Sequence, residues 1–253
     1  MRRRKKEMPL LDHFKELRKV LLISAYAIAF GTVIGWIFSD MLYRFLAQPM
    51  VGIEEVSFIT TTPMEPILVK LKISLVAGII VALPIIFWQI WSFVLPALQK
   101  NERKYLYFIV PSSIILFLSG AGFAFYFVLP IGLNFLMFVG GGAVESTPFV
   151  TKSSYLGFIL TFILSFGIVF QLPVVLLLLI RLGILAPQTL AKYRKYAFFI
   201  IIVLAVIISP TPDLMTQLLM VGPMYMLYEI SIWLGFLIVR KKKLTEEKVK
   251  GEG

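Results

Sequence analysis

Residues 70–104 read KLKISLVAGIIVALPIIFWQIWSFVLPALQKNERK, a long apolar run that ends in a basic cluster. No charged side chain occurs between Lys72 and Lys100. A helix needs about twenty apolar residues to cross a hydrocarbon core of roughly 30 Å, so this run predicts a transmembrane helix. Lys and Arg beside membrane spans are retained in the cytoplasm, and the cluster of Lys100, Arg103 and Lys104 therefore predicts a cytoplasmic C-terminal end for this helix.

The same alternation of apolar runs and basic segments extends over the whole chain. Most of the 25 Lys and Arg residues fall in segments 1–20, 96–104, 181–195 and 240–253. The apolar runs predict transmembrane helices at 20–39, 70–95, 106–129, 154–180, 196–209 and 214–239. The basic segments predict cytoplasmic termini, and 40–65, 130–152 and 209–213 are predicted to be external. The predicted fold is an all-α polytopic membrane protein with six transmembrane helices.

Composition supports a membrane protein and excludes several functional classes. Apolar residues make up 59% of the chain and the mean hydropathy is +0.89, which is too high for a soluble domain of this length. The pI near 9.8 reflects basic residues beside apolar runs, so membrane topology and anionic headgroups explain it better than nucleic-acid binding. The chain has no cysteine, which excludes disulfides and thiolate chemistry. The N-terminal apolar run is long enough for a retained helix rather than a cleaved signal sequence.

Prolines and glycines within the runs refine the predicted architecture. Pro84, Pro111 and Pro173 are expected to kink their helices, which favours a curved wall over a straight bundle. Pro130 is expected to end the third helix and begin an external loop. The fifth helix is expected to be short, because only seventeen uncharged residues separate Lys195 from Asp213. Residues 1–240 are predicted to form a single domain, and residues 241–253 a disordered cytoplasmic tail.

The first predicted helix contains a motif for close packing. Gly31 and Gly35, in the sequence GTVIG, have the small-xxx-small spacing that lets the backbones of membrane helices approach each other. The motif predicts a helix contact but does not identify the partner helix.

Two polar residues fall within predicted transmembrane helices. Glu229 lies eleven residues before Arg240, which predicts a depth of roughly 16 Å, near the midplane. Gln171 lies ten residues before Arg181, at a similar predicted depth, and a hydrogen bond between the two is expected if their helices are neighbours. Ionisable groups in membranes are candidates for function, but a role in holding helices together is equally compatible with these positions.

The sequence offers no set of catalytic residues and no cofactor site. The only histidine, His13, lies in HFKE, which lacks the second histidine of a zinc-binding HExxH helix. No Ser/His or Ser/Lys pair and no glycine-rich phosphate loop can be identified. Residues 9–20 predict an amphipathic interfacial helix. From spacing alone, Glu16 in this helix and Glu102 in the next basic segment are predicted to be solvated acids paired with adjacent Lys and Arg residues.

Several local motifs together resemble TatC, the family of multi-spanning core components of the twin-arginine protein translocase. The resemblance covers nearly all of residues 8–240. It rests on HFKELRKVLL (13–22), LAQPM (46–50), FWQIWSFVLPALQKNERK (87–104), FAFYFVLP (123–130), FGIVFQLPVV (166–175), SPTPDLMTQ (209–217) and YEISIW (228–233). The six-helix architecture that this family implies, with both ends cytoplasmic, agrees with the number of helices predicted from charge and apolar length.

The resemblance implies a signal-peptide site at the cytoplasmic rim. The family recognises folded precursor proteins through a signal peptide with two consecutive arginines. By position, Glu16 and Glu102 match its acidic binding residues and Phe93 the aromatic beside them, with Arg18 and Lys104 as neighbours. Carboxylates suit this task because they accept the paired N–H donors of a guanidinium in a geometry that Lys cannot reproduce.

The resemblance also implies structural and partner-docking positions. Pro49 and Phe125 match structurally sensitive residues, and Asp213, Gln217 and Glu229 match a region that docks single-span partner subunits of the TatA/TatB type. Gln171 departs from the family, which usually has glutamate there. An amide keeps an acceptor and similar volume but cannot carry charge, so any role that needs a carboxylate at this position is in question.

The expected function is therefore the signal-recognition core of an oligomeric protein translocase in the prokaryotic cytoplasmic (inner) membrane. The resemblance implies export driven by the proton-motive force, and no nucleotide-binding motif suggests otherwise. The rival hypothesis is a small secondary transporter or permease subunit with a midplane site at Glu229 and Gln171. Transporters often contain internal repeats and several buried polar groups, whereas this chain has no repeat and few such groups.

Overall fold

A computed structural model describes residues 10–51, 57–94, 106–139, 149–209, 211 and 213–251. The helices are α1 (Leu10–Ile37), α2 (Ser39–Val51), α3 (Glu65–Val94), α4 (Leu106–Phe123), α5 (Leu129–Asn134), α6 (Lys152–Val169), α7 (Leu172–Arg181), α8 (Pro187–Lys192), α9 (Arg194–Ile208) and α10 (Leu214–Gly251). Strands β1 (Ser57–Ile59) and β2 (Phe149–Thr151) form a short parallel pair. The contacts group into two compact units, whereas the sequence predicts one domain. Unit 1 is 1–47 and 60–114, and unit 2 is 48–59 and 115–253.

Unit 1 is built on an antiparallel contact between α1 and α3. A Cβ built on Gly31 would lie 2.6 Å from the carbonyl oxygen of Gly78, and one on Gly35 would lie 2.7 Å from that of Ser74. A Cβ on Gly78 would in turn lie 2.5 Å from the backbone nitrogen of Thr32. The GTVIG motif is therefore confirmed as a packing motif, and α3 is its partner. Close approach of this kind is how membrane helices gain van der Waals contact without large side chains.

The helix α3 also packs against the first half of α4. The indole N–H of Trp91 donates to the hydroxyl of Ser113 at 3.0 Å, and both side chains are buried. One turn earlier in α3, the ring of Trp88 meets that of Tyr107 edge to face with centroids 5.7 Å apart. Pro84 and Pro111 lie within α3 and α4, and neither proline divides its helix into two.

In unit 2, residues 130–139 do not form the loop predicted after Pro130, and residues 140–148 of that predicted loop lie outside the described residues. Helical structure continues from α4 through a π-helical turn at Ala124–Val128, then α5, then a second π-helical turn at Phe135–Val139. The N–H of Leu129 bonds back to the carbonyl of Ala124, five residues earlier. This wider turn relieves the clash between a proline ring and the preceding turn, so Pro130 is tolerated as an early residue of α5.

Aromatic residues pack α6 against α4 within unit 2. A Cβ on Gly167 would lie 2.6 Å from the ring of Phe117, and Phe166 is 1% exposed. Phe123 packs with the rings of Phe166 and Phe170 at centroid distances of 6.0 and 5.8 Å. The predicted kink near Pro173 is a helix break: α6 ends at Val169, and α7 begins at Leu172 with the proline in its first turn. Proline is favoured there because the first N–H groups of a helix have no intrahelical acceptor.

The end of unit 2 is formed by α7, α8, α9 and α10. A Cβ on Gly235 of α10 would lie 2.6 Å from Ile180 of α7, and the Tyr228 hydroxyl donates to the carbonyl of Leu190 at 2.9 Å. The helix α10 continues past Arg240 to Gly251, so the predicted disordered tail is helical over most of its length. Lys, Glu and Leu are good helix formers, and extending an existing helix needs no new nucleation.

Within the described residues, five helical segments are long and apolar enough to cross a membrane. They cover Phe14–Ile37, Glu65–Val94, Leu106–Met137, Lys152–Arg181 and Leu214–Arg240. The fifth predicted transmembrane helix corresponds to α9, which has 15 residues. At 1.5 Å per residue it is about 22 Å long, shorter than a typical hydrocarbon core. The protein is thus an all-α multi-pass membrane protein, and the sixth crossing remains a prediction.

Candidate functional site

The predicted signal-peptide residues Glu16 and Phe93 lie at the same end of the α1 and α3 pair. The two glycine contacts fix the register, with Gly31 opposite Gly78. Fifteen residues toward the N-terminus from Gly31 lead to Glu16, and fifteen residues toward the C-terminus from Gly78 lead to Phe93. Both segments are helical throughout, so the same rise brings the two residues to the same level, about 22 Å from the glycine contact.

Glu16 also lies on the side of α1 that faces α3. Successive residues of an α-helix are about 100° apart, which places Glu16 within roughly a quarter turn of both Gly31 and Gly35. Its side chain is half-buried, whereas Lys15 and Arg18 are exposed. Phe93 is half-buried as well. An acid and an aromatic side chain are therefore brought to one level of the α1 and α3 pair.

Arg18 is exposed and lies about 200° around α1 from Glu16. The two side chains therefore leave the helix in different directions from positions two residues apart. The place of Arg18 beside Glu16 in one site stays a prediction.

Glu102 and Lys104 lie outside the described residues. The described elements on either side are α3, which ends at Val94, and α4, which begins at Leu106. The edge-to-face contact of Trp88 and Tyr107 holds these two helix ends together. In sequence, Glu102 lies four residues before α4.

A second polar cluster joins α9 and α10 in unit 2. The guanidinium of Arg194 donates two hydrogen bonds to the carboxylate of Glu229, from Nε to Oε1 at 2.7 Å and from one terminal nitrogen to Oε2 at 3.0 Å. The Tyr225 hydroxyl donates to Oε1 at 3.0 Å. This paired geometry is the strongest form of an Arg–carboxylate contact.

The cluster corrects one expectation for Glu229. Its carboxylate bonds to Arg194 and Tyr225 instead of the predicted Gln171. Glu229 lies within the candidate span Leu214–Arg240, and its partner Arg194 is the first residue of the short α9. The hydrogen bond expected between the two residues of the rival transport site is therefore replaced by a contact with Arg194, and the predicted depth of Glu229 stays a prediction.

Replacing Glu229 by Gln should lower the melting temperature of the purified protein by a small amount. The change removes the charge but keeps the volume, and both partners are partly exposed, at 44% for Arg194 and 25% for Glu229. Arg194→Lys should cause a similar decrease, because an ammonium cannot form the two parallel bonds. Tyr225→Phe combined with Glu229→Gln provides a double-mutant cycle. Melting temperatures that match wild type in all variants would mean that the cluster contributes nothing to stability.

Asp213 immediately precedes α10, and its carboxylate accepts a hydrogen bond from the backbone N–H of Thr216 at 2.7 Å. This is an N-cap contact, which satisfies a donor that the first turn leaves open. Burial alone would raise the pKa of Asp213, but donors of Thr211 and Thr216 outweigh it and hold the pKa below its ordinary value of 3.8. Gln217 is half-buried one residue after Thr216, and its backbone N–H bonds to the carbonyl of Asp213.

The cap makes a pH-dependent contribution to stability. Because the pKa of Asp213 is lowered on folding, its contribution is present above pH 3.8 and is lost as the pH falls through the lower folded pKa. Asp213→Asn should reduce the loss of thermal stability between pH 5 and about pH 3. Asp40→Asn is a suitable control, since that acid is an exposed partner of Lys70 at 3.4 Å. Equal acid sensitivity of D213N and wild type would contradict the prediction.

The remaining predicted positions lie within helices or at a helix break. Pro49 lies within α2, and Phe125 is 5% exposed in the first π-helical turn, where its ring meets that of Tyr126 edge to face. Gln171 lies in the break between α6 and α7, and its backbone carbonyl accepts from Val175 at 3.0 Å. Arg194 was not predicted as a partner of Glu229. Its position at the start of the fifth apolar run was the available signal.

The chain is similar to known proteins over nearly its full length. The sequence model of the family described as Sec-independent protein translocase protein (TatC) matches residues 12–223. The TatC protein of Carboxydothermus hydrogenoformans is 42% identical over 96% of this chain and 99% of its own length. That of Aquifex aeolicus is 41% identical over 93% of this chain and 98% of its own length.

Solved structures give the same result. A crystal structure of the twin-arginine translocase receptor TatC superposes with a TM-score of 0.78 at 40% identity, covering 89% of this chain and 98% of the solved one. A second crystal structure of the receptor, in DDM, gives a TM-score of 0.80 at 40% identity, with 88% and 99% covered. The match in sequence and in three dimensions extends over both units. The chain therefore belongs to the TatC family of Sec-independent protein translocase proteins.

Proposed function

We propose that this protein is the signal-peptide receptor subunit of a twin-arginine translocase and binds the paired arginines at one end of α1 and α3. It is a transport component rather than an enzyme. The observation that carries the proposal is the common level of Glu16 and Phe93, fixed by the Gly31 and Gly78 contact. A carboxylate beside an aromatic ring suits a guanidinium, which can donate paired hydrogen bonds to the acid and stack on the ring.

The proposed site includes Glu102 and Lys104 from the segment between α3 and α4. A second carboxylate would let each of the two arginines find its own acceptor. The surrounding segment is basic, so a basic peptide is repelled unless its arginines reach these acids. Repulsion by the basic segment therefore disfavours basic peptides that lack two consecutive arginines. The direct test is a pull-down of the full-length protein with a twin-arginine peptide and its Lys-Lys counterpart, and equal capture of both would reject the site.

The proposal includes an orientation in the membrane. The basic segments favour cytoplasmic N- and C-termini in a prokaryotic inner membrane, with export driven by the proton-motive force. In this orientation the level of Glu16 and Phe93 is cytoplasmic, where precursor proteins first meet the translocase.

We further propose that unit 2 docks single-span partner subunits along α9. This helix exposes a row of apolar side chains, and only Ile201 and Ala205 are buried. Asp213, Gln217 and Glu229 supply polar groups near its two ends. A lone apolar helix can pack along such a face, with the polar groups fixing its depth.

Site-directed crosslinking tests this docking surface. The chain has no cysteine, so an introduced cysteine is unique. Ile207→Cys, at a position that is 72% exposed on α9, should crosslink to a single-span partner that also carries one cysteine. Val33→Cys, at a 64% exposed position on α1, is the matched control and should crosslink several-fold less. Equal crosslinking at both positions would contradict docking along α9.

A further inference from the structure

The outer face of α1 carries a stripe of three basic residues followed by three apolar ones. We call this the basic stripe, and its members are Lys15, Arg18, Lys19, Leu22, Ile23 and Tyr26. They line one shallow surface depression on unit 1. At about 100° per residue, Lys15, Leu22 and Tyr26 lie on the face of α1 away from the glycine contact, and Arg18 and Lys19 lie toward its two edges. Ile23 is half-buried on the side of Glu16, and Lys19 is one turn from Glu16, so the stripe borders the proposed signal-peptide site.

Two cations of the stripe, Arg18 and Lys19, are available for an outside anion. The side chains of Arg18 and Lys19 are exposed, and no carboxylate among the described residues pairs with either of them. Excess positive charge of this kind excludes the basic signal peptide as an occupant and selects an anion.

The order of the stripe matches the order of groups in a phospholipid. The candidate membrane-spanning segment begins at Phe14, so Lys15, Arg18 and Lys19 lie at the membrane interface. Leu22 and Tyr26 follow along the same face and are 45% and 73% exposed. Tyr26 is about 12 Å deeper than Arg18 along the helix axis, at a rise of 1.5 Å per residue. A headgroup phosphate bound by the cations would thus direct an acyl chain along the apolar part.

We propose that the basic stripe is a binding site for an anionic phospholipid. Phosphate and guanidinium form charge-assisted hydrogen bonds, and basic side chains at an interface attract anionic headgroups. The lipid would fill the depression on α1 and cover Leu22 and Tyr26. The site gives unit 1 a preference for anionic lipid.

Native mass spectrometry with a lipid mixture tests the proposal. The full-length protein is incubated with equal amounts of phosphatidylglycerol and phosphatidylcholine with identical acyl chains, and the bound lipid ratio is measured. Wild type should retain phosphatidylglycerol preferentially. Arg18→Gln with Lys19→Gln should reduce this preference by about fivefold for each cation removed. Arg44→Gln with Lys152→Gln, which removes the same charge elsewhere, should leave it unchanged.

Two additional variants and a phosphate competitor distinguish a bound lipid from other ligands. Arg18→Lys should keep most of the preference, and Leu22→Ser should weaken retention of both lipids, because it removes an acyl-chain contact. Inorganic phosphate should not displace the lipid at equal concentration. Displacement by inorganic phosphate, retention of an acidic peptide without lipid preference, or equal behaviour of the stripe and control variants would each overturn the proposal. Melting temperatures confirm that every variant compared is folded.

Discussion

Replacing Glu16 by Gln is expected to weaken binding of a twin-arginine signal peptide by at least about tenfold. Hydrogen bonds to charged groups contribute about 1.5–3 kcal/mol, which corresponds to roughly 10-fold to 150-fold in affinity. Gln keeps the size of the side chain but can offer only one acceptor oxygen and no charge, so the paired contact with a guanidinium is lost. The measurement is the dissociation constant of a labelled peptide for the full-length protein in detergent micelles.

Three controls make this result specific. Asp40→Asn removes one negative charge near the other end of α1, from an exposed acid that pairs with Lys70, and should leave the affinity within about twofold of wild type. The Lys-Lys peptide should bind weakly to wild type and lose little more on Glu16→Gln. Glu102→Gln should resemble Glu16→Gln. Unchanged peptide affinity in both variants, with normal membrane insertion, would remove these two acids from the proposed site.

Replacing Gly78 by Ala is expected to be the most destabilising small substitution in unit 1. The added Cβ would lie 2.5 Å from both the backbone nitrogen and the hydroxyl oxygen of Thr32, and 2.8 Å from its Cα. Backbone atoms cannot move aside as a side chain can, so α1 and α3 must separate. Overpacking of this kind typically costs about 1–3 kcal/mol. The measurement is the melting temperature of the purified protein.

Gly157→Ala is the matched control for this substitution. Gly157 also lies within a helix, α6, and a Cβ there would meet no other atom within 4 Å. Alanine has a higher helix propensity than glycine, so G157A should keep or raise the melting temperature. G78A should also weaken peptide binding, because the same contact sets the level of Glu16 and Phe93. A G78A protein as stable as G157A would mean that the two helices are not held by this contact.

The local motifs of the chain were sufficient for much of the fold and for the family. Apolar run length and basic segments indicated the transmembrane helices because both reflect the bilayer, which acts on each segment separately. The prediction failed where a neighbouring turn removes the steric conflict of a helix-breaking residue. Pro130 is the example, because the π-helical turn before it lets the chain stay helical through α5. The predicted disorder of residues 241–253 was wrong over 241–251, since an existing helix continues where good helix formers follow.

The candidate sites were less predictable than the helices. Glu229 was recognised as an ionisable residue within a predicted transmembrane helix. Its partner Arg194 is 35 residues away in sequence, and only the packing of α9 against α10 brings the two side chains together. Arg18 and Glu16 are two residues apart, yet the periodicity of α1 places them on different faces. The partner of the GTVIG motif likewise became known only from the contact with α3.

The sequence alone determined that this chain is an all-α membrane protein and a member of the TatC family, because hydrophobic length, charge and short motifs are properties of single segments. The tertiary structure decided which segments meet and at what level. Two glycine contacts bring Glu16 level with Phe93, and the Arg194 ion pair puts Glu229 at one end of α9. The physical reason is that register and partner choice depend on the close packing of two surfaces, which neither segment encodes by itself.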